Sequence, residues 1–314
     1  MPRDVGIRES AARTLEYAYD DWCIMMLARK LKRPADEIAL YAKRSGNWRN
    51  VFDPAKGLAC GRGQDGTFDP QFNPYKWGGD FTEGNALHYT WSVFHDVAAL
   101  IDAMGGRERF NARLDSVFTL PPVFDCSYYG RVIHEIREMQ IMGFGQYAHG
   151  NQPIQHMTYL YDWSGEPWKT QKWVHEITTR LYHPTPDGYC GDEDNGQTSA
   201  WYVWSSLGFY PVCPGSGEYA LGAPQVGVAD LKFGQCTLKI RAVHADGKTP
   251  VRDFDLAPYV QRLTLDGREL DRNYVTRAEL VKGGELVFTM GAKPNLHRGV
   301  ASSSAPYSHS RETK

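Results

Sequence analysis

No stretch of this 314-residue chain is apolar and long enough to cross a bilayer. Charge of one sign is missing too. Against 35 Lys and Arg stand 37 Asp and Glu, a formal net charge of −2, which gives no electrostatic case for nucleic acid or an anionic membrane surface. The six cysteines (Cys23, Cys60, Cys126, Cys190, Cys213, Cys236) form no CxxC and no Cys/His pair at zinc spacing. Cys190 and Cys213 flank one segment, a spacing that leaves a disulfide in an oxidising compartment open. The opening residues, Met-Pro-Arg-Asp-Val, lack the apolar run of a signal peptide.

Local catalytic motifs are missing as well. Without a GxSxG, a Walker sequence or a dinucleotide fingerprint, acyl, phosphoryl and hydride transfer have no local support. Asp192-x-Asp194 begins like an EF-hand, but Gly196 and Val203 stand where the fifth and twelfth loop ligands belong. His134-Glu135 begins like a zinc-protease helix, but Glu138 replaces the second histidine. Carboxylate chemistry remains.

Carboxylates and aromatics are plentiful, and they occur together. Glu83-Gly84-Asn85 and the block Gly191 to Gly196 each open onto a run rich in Trp, Tyr and Ser. Asp and Asn before a helix are commonly caps. An acid and a base beside aromatic surface also suit a sugar, which offers an apolar face and a rim of hydroxyls.

Apolar spacing predicts helices over 9–31, 35–44, 85–104, 107–117, 130–139, 167–181 and 197–207. From about Tyr219 the texture turns to short β-rich runs at 222–226, 237–243, 260–265 and 285–290, with turns at Asp266-Gly267 and Gly283-Gly284. Helices followed by strands make an α+β chain. The expected division is a helical part over 1–215, a β-rich unit over 216–300 and a frayed tail over 301–314. The Gly/Pro-rich stretch 46–81 is long for a loop, and its Trp48, Phe68, Phe72 and Trp77 argue that it is ordered.

Together the segments resemble glycoside hydrolase family 92, the calcium-dependent inverting exo-α-mannosidases. The resemblance rests on Leu15-Glu16-Tyr17-Ala18-Tyr19-Asp20-Asp21-Trp22, Asn47-Trp48-Arg49-Asn50-Val51-Phe52-Asp53 and Glu83-Gly84-Asn85 onward to His95-Asp96. It continues in Gly145-Gln146-Tyr147-Ala148-His149-Gly150-Asn151-Gln152-Pro153, Glu166-Pro167-Trp168, Gly191 to Trp201 and Gly208-Phe209-Tyr210-Pro211. The resemblance implies part of an (α/α)6 helical toroid followed by a small β unit. The chain looks like the later part only. The family's N-terminal β-sandwich, linker and first helices are expected outside it, with that domain a possible contribution from a neighbouring polypeptide. A periplasmic, secreted or cell-surface location is also implied.

The resemblance carries roles to individual residues. Inversion needs one carboxylic acid to protonate the leaving oxygen and one carboxylate to activate water on the opposite face, roughly 6.5–9.5 Å apart. Glu83 takes the acid role, its pKa expected to be raised by desolvation around Tyr89 and Trp91. Asp194 takes the base role, with Asp192 as partner or substitute. His134, Glu135, Asn151, Gln152, His149, His156 and Trp91 are carried over as contacts to the mannose-containing substrate, Trp91 being open between stacking platform and core. Glu138 approaches the calcium ion, which would bridge sugar hydroxyls. Gln152 stands where many members have Glu, keeping a carbonyl acceptor and losing a charge. The alternatives are a truncated remnant that binds mannosides without turnover, and another inverting helical-toroid glycosidase such as a trehalase-like enzyme.

Overall fold

The computed structural model describes residues 1–312, which form two compact units, one over Met1–Ile154 and one from Gln155 onward. The first is helical. Its α1 (Ser10–Lys30) buries Ala11, Leu15, Ala18, Trp22 and Met25, the three-and-four spacing of one helix face. α2 (Ala35–Arg44) returns along it, held by Arg44 Nε on the buried Asp21 carboxylate at 2.9 Å. The 46–81 stretch is ordered, as its aromatics imply. A 3-10 segment (Ser45–Val51) leads into a ribbon of β1 (Phe52–Asp53) and β2 (Leu58–Ala59), with Trp48 and Trp77 fully buried.

The helix expected over 85–104 is two: α3 (Ala86–Tyr89) and α4 (Val97–Ala103). The break has a side-chain cause. The Trp91 indole N–H donates to the Leu87 carbonyl at 2.8 Å, the acceptor that a continuing helix would have given to the Trp91 backbone. α5 (Arg107–Thr119) follows. α6 (His134–Met142) starts four residues later than expected and ends on Gly143 at φ 70°, the left-handed conformation glycine adopts at no steric cost.

The second unit joins helices and sheets. Its helices are α7 (Tyr161–Ser164), α8 (Pro167–Arg180), α9 (Gln197–Leu207) and α10 (Arg277–Lys282). One three-stranded sheet runs β3 (Phe209–Tyr210), β4 (Glu218–Leu221), β9 (Tyr274–Thr276). The other, five-stranded, is ordered β5 (Val228–Phe233), β6 (Cys236–Val243), β10 (Gly284–Gly291), β7 (Tyr259–Leu265), β8 (Arg268–Glu269). β10 pairs parallel with β6 and antiparallel with β7. Alternate residues Leu238, Ile240 and Ala242 of β6 and Leu286, Phe288 and Met290 of β10 fill the core. Burying a Leu or Phe of this kind contributes about 2 kcal/mol.

The sheets of this unit begin at β3, ahead of the expected change of texture near Tyr219, and α8 folds with them: the Gln171 side chain accepts from Val260 N at 2.9 Å. The strand expected at 222–226 is a connection, consistent with Pro224, which has no N–H for a ladder. Asp266-Gly267 is a two-residue hairpin turn with both φ positive, 50° and 76°.

The expected frayed tail is packed instead through 312, because buried donors claim it. Trp163 Nε1 donates to Tyr307 O at 2.9 Å, and Tyr307 N to Glu218 Oε2 at 2.7 Å. Residues 313–314 of that expectation lie outside the described residues. Cys190 and Cys213 are thiols, not joined to one another.

Candidate active site

Glu83 sits at φ 45°, in left-handed backbone that costs an L-residue roughly 1–2 kcal/mol. Hydrogen bonds on both sides hold it there. Its N–H donates to Tyr129 Oη at 3.0 Å, and its carbonyl accepts from Asn151 Nδ2 at 2.7 Å. Next to it, Thr82 O accepts from Tyr89 Oη at 2.7 Å and Gly84 O accepts from Gly78 N at 3.0 Å. The backbone is fixed while the Glu83 carboxyl stays exposed.

Asn85 turns this segment into α3. Its side chain accepts from Leu87 N at 2.9 Å, while its own N–H donates to His88 Nδ1 at 3.3 Å. The opposite ring nitrogen, Nε2, then donates to Gln146 O at 2.7 Å. Burial pushes the His88 imidazole down to about 4, so it is neutral near pH 7 and works as a fixed strut.

The second acidic block, in the other unit, is built the same way. Asp194 and Asn195 have φ of 53° and 57°, and Gly196 follows at 104°. Six non-glycine residues are left-handed among those described, and three of them are Glu83, Asp194 and Asn195. Strain of this kind concentrates at functional positions. Between the two aspartates, Glu193 caps α9: its Oε2 accepts from Gly196 N at 2.8 Å, and hydrogen bonds hold its carboxyl below the usual range. Asp192 and Asp194 are left with exposed side chains, while Thr198 Oγ1 donates to Asp192 O at 3.0 Å. Behind this loop Gln197 Nε2 reaches Gln155 Oε1 at 3.2 Å and Tyr210 Oη at 2.9 Å.

The third cluster is on α6 in the first unit. His134 Nδ1 meets Glu138 Oε1 at 2.8 Å, and its Nε2 meets Glu135 Oε1 at 3.2 Å. The other oxygen of each carboxylate, Oε2, is buried with no hydrogen-bond partner. Such hard, orphaned oxygens suit calcium, which takes six to eight oxygens including waters and carbonyls. They fit as part of its shell only, since among the described residues no three His, Cys, Asp or Glu are grouped to hold a metal.

Three carried-over contacts have other employment. Trp91 is fully buried, edge-on to Phe110 at 5.3 Å, with its N–H on Leu87; it is core and offers no face for stacking. His149 is sealed in with Nδ1 at 2.7 Å from Tyr147 Oη, and burial lowers it to about 3. Asn151 spends its amide on the Glu83 carbonyl. His156, in the second unit, is nearly buried, and Gln152 is half-buried. Sequence reasoning missed Tyr129, Glu193, Gln155 and Tyr210. A charged residue at the third position before Gly196 was the one readable hint, since Glu193 caps locally; Tyr129 lies 46 residues from its partner.

The chain as a whole has counterparts among known proteins. A model of the glycosyl hydrolase family 92 catalytic domain matches residues 1–292. The chain belongs to glycosyl hydrolase family 92. A family 92 inverting mannosidase of Bacteroides thetaiotaomicron is 46% identical, with a TM-score of 0.85 over 99% of this chain and 41% of its own. A family 92 α-mannosidase of the same organism, in complex with mannoimidazole, is 34% identical, with a TM-score of 0.87 over 98% of this chain and 39% of its own. A curated relative from Arthroderma benhamiae, named an uncharacterized secreted glycosidase, is 27% identical over 308 residues, 90% of this chain and 36% of the relative. The chain thus spans about two fifths of the length of these family 92 relatives.

Proposed function

We propose that this family 92 chain hydrolyses terminal α-linked mannose from glycans or simple mannosides, with inversion at the anomeric carbon. The observation that carries the reading is the shared construction of the two acidic turns: each presents exposed carboxyl groups from left-handed backbone that hydrogen bonds hold in place. The mannosidase names of its structural relatives supply the sugar.

In this reading Glu83 protonates the leaving oxygen as the glycosidic bond breaks, and Asp194 takes a proton from the water that attacks the opposite face. Asp192, two residues away on the same loop, couples to that titration or replaces Asp194 in it. Substrate seated on the Glu83 carboxyl excludes water from it, which favours the protonated acid that the step requires. Tyr129 and Asn151 position the acid, and Glu193 the base. His134, Glu135, Gln152 and His156 are the remaining candidates for sugar hydroxyls.

Glu138, with Glu135 beside it, would hold calcium with its orphaned oxygen. When bound, the ion would polarise sugar hydroxyls and favour a flattened ring. The helical part over 1–215 is read as belonging to the family's (α/α)6 toroid, and the sandwich domain as supplied by further polypeptide. A location outside the cytosol agrees with the name of the secreted fungal relative.

A panel of aryl α-mannosides and α-glucosides tests the proposal. Mannosides should be hydrolysed, with the rate lost in Glu83→Gln and Asp194→Asn and reduced by chelation. Preference for glucosides, or turnover that survives Glu83→Gln, would overturn it.

A further inference from the structure

A cavity of about 310 Å³ opens in the first unit between α5 and the β1–β2 turn. It is lined by Pro54, Lys56, Gly57, Met104, Arg109, Arg113 and their small neighbours. None of these residues belongs to the candidate active site. Three of the lining residues are cations, and none is an acid.

The three cations differ in how far they are already satisfied. Lys56 Nζ is paired to the Asp53 carboxylate, so its charge is largely spent. Arg113 is anchored but not neutralised: its Nη2 donates to the Lys56 carbonyl at 2.9 Å, which uses one of five N–H groups and no charge. The Arg109 side chain makes no ion pair or hydrogen bond to another residue among those described, and its guanidinium lies against Gly105, where an added Cβ would sit 3.1 Å from Nη1.

Arg109 and Arg113 are one turn apart on α5. Like charges at that spacing repel and weaken a helix. Ser116 continues the same face one turn later. Two guanidiniums without an acid partner line one concave surface, and a shared oxyanion would offset their repulsion. Guanidinium forks match phosphate and sulfate oxygens bidentately, as lysine does not.

We propose that this pocket binds a small tetrahedral oxyanion, phosphate or sulfate, free or as the ester of a group about the size of a monosaccharide. Arg109 and Arg113 hold the oxyanion, and the remaining volume takes the esterified group.

The test is calorimetric titration of the whole chain at 50 mM and 300 mM NaCl with inorganic phosphate, sulfate, glucose 6-phosphate and glucose. Saturable binding of the three anions is expected, weakened by salt, with glucose inert. Arg109→Gln should weaken the anions at least tenfold, and Arg109→Lys by less because it keeps charge without the fork. The exposed Arg109 has no partner to lose, so the thermal midpoint of Arg109→Gln should be unchanged or raised, and mannoside hydrolysis unaffected. Absence of saturable anion binding, equal binding of glucose, or an affinity indifferent to Arg109→Gln would overturn the proposal.

Discussion

Glycine in place of Glu83 is expected to leave a more stable protein than alanine there, while both remove the proton donor. At φ 45° any side chain with a Cβ carries a left-handed penalty of roughly 1–2 kcal/mol, and glycine does not. Glycine gives back roughly 0.5–1 kcal/mol through the greater freedom of the unfolded chain. The backbone bonds to Tyr129 and Asn151 need no side chain at position 83, and glycine and alanine both lack the carboxyl, so neither contributes a difference between the two variants. The net expectation is a gain of about 0.5–1 kcal/mol for Glu83→Gly over Glu83→Ala, because alanine keeps the Cβ and the strain. Urea denaturation followed by tryptophan fluorescence reads this, since Trp77 and Trp91 are fully buried in the same unit. At an ordinary helical or extended position the order reverses and alanine is the more stable. An alanine variant more stable than the glycine variant would therefore refute the strained-turn reasoning.

Three further expectations concern the scaffold. His88 and His149, lowered by burial to about 4 and about 3, bind protons more weakly folded than unfolded, where the value is about 6.5. Stability contributed by their neutral state is present above pH 6.5 and is lost as pH falls towards 4, at about 1.4 kcal/mol per pH unit for each; urea midpoints that stay level from pH 7 to 5 would contradict this. Tyr129→Phe deletes the acceptor of the Glu83 N–H and should cost about 1 kcal/mol, with a fall in kcat larger than any change in KM, read by steady-state kinetics. Gly267→Ala places a Cβ at φ 76° in the β7–β8 turn and should lower the melting midpoint by the equivalent of about 1 kcal/mol while leaving hydrolysis unchanged.

Periodicity carried most of the fold. α1, α8 and α9 follow apolar spacing, and β6, β7 and β10 follow alternation, because each has one face that is buried. What periodicity does not register is competition by side chains. The Trp91 indole takes a helix carbonyl and splits α3 from α4, and the buried donors of Trp163 and Tyr307 order a tail whose composition is that of a loose end. The acidic turns were readable as residue types, Glu83-Gly84-Asn85 and Asp192 to Gly196. Their strain was not, since it arises from partners such as Tyr129 and Asn151, 46 and 68 residues from Glu83. The same blindness hides the scaffold bonds of Asn151 and His149: an amide or imidazole in a Gly-rich motif gives no sign of the Glu83 carbonyl or the Tyr147 hydroxyl that it meets.

The direct measurement of the central claim is the anomeric form of the first product, followed by proton NMR during hydrolysis of an aryl α-mannoside. An acid at Glu83 and a water activated by Asp194 on the opposite face deliver β-mannose first, which then mutarotates, and Asp194→Asn stops its appearance. Appearance of α-mannose as the first product would show that a carboxylate attacks the sugar itself, and the division of labour between the two strained turns would be wrong.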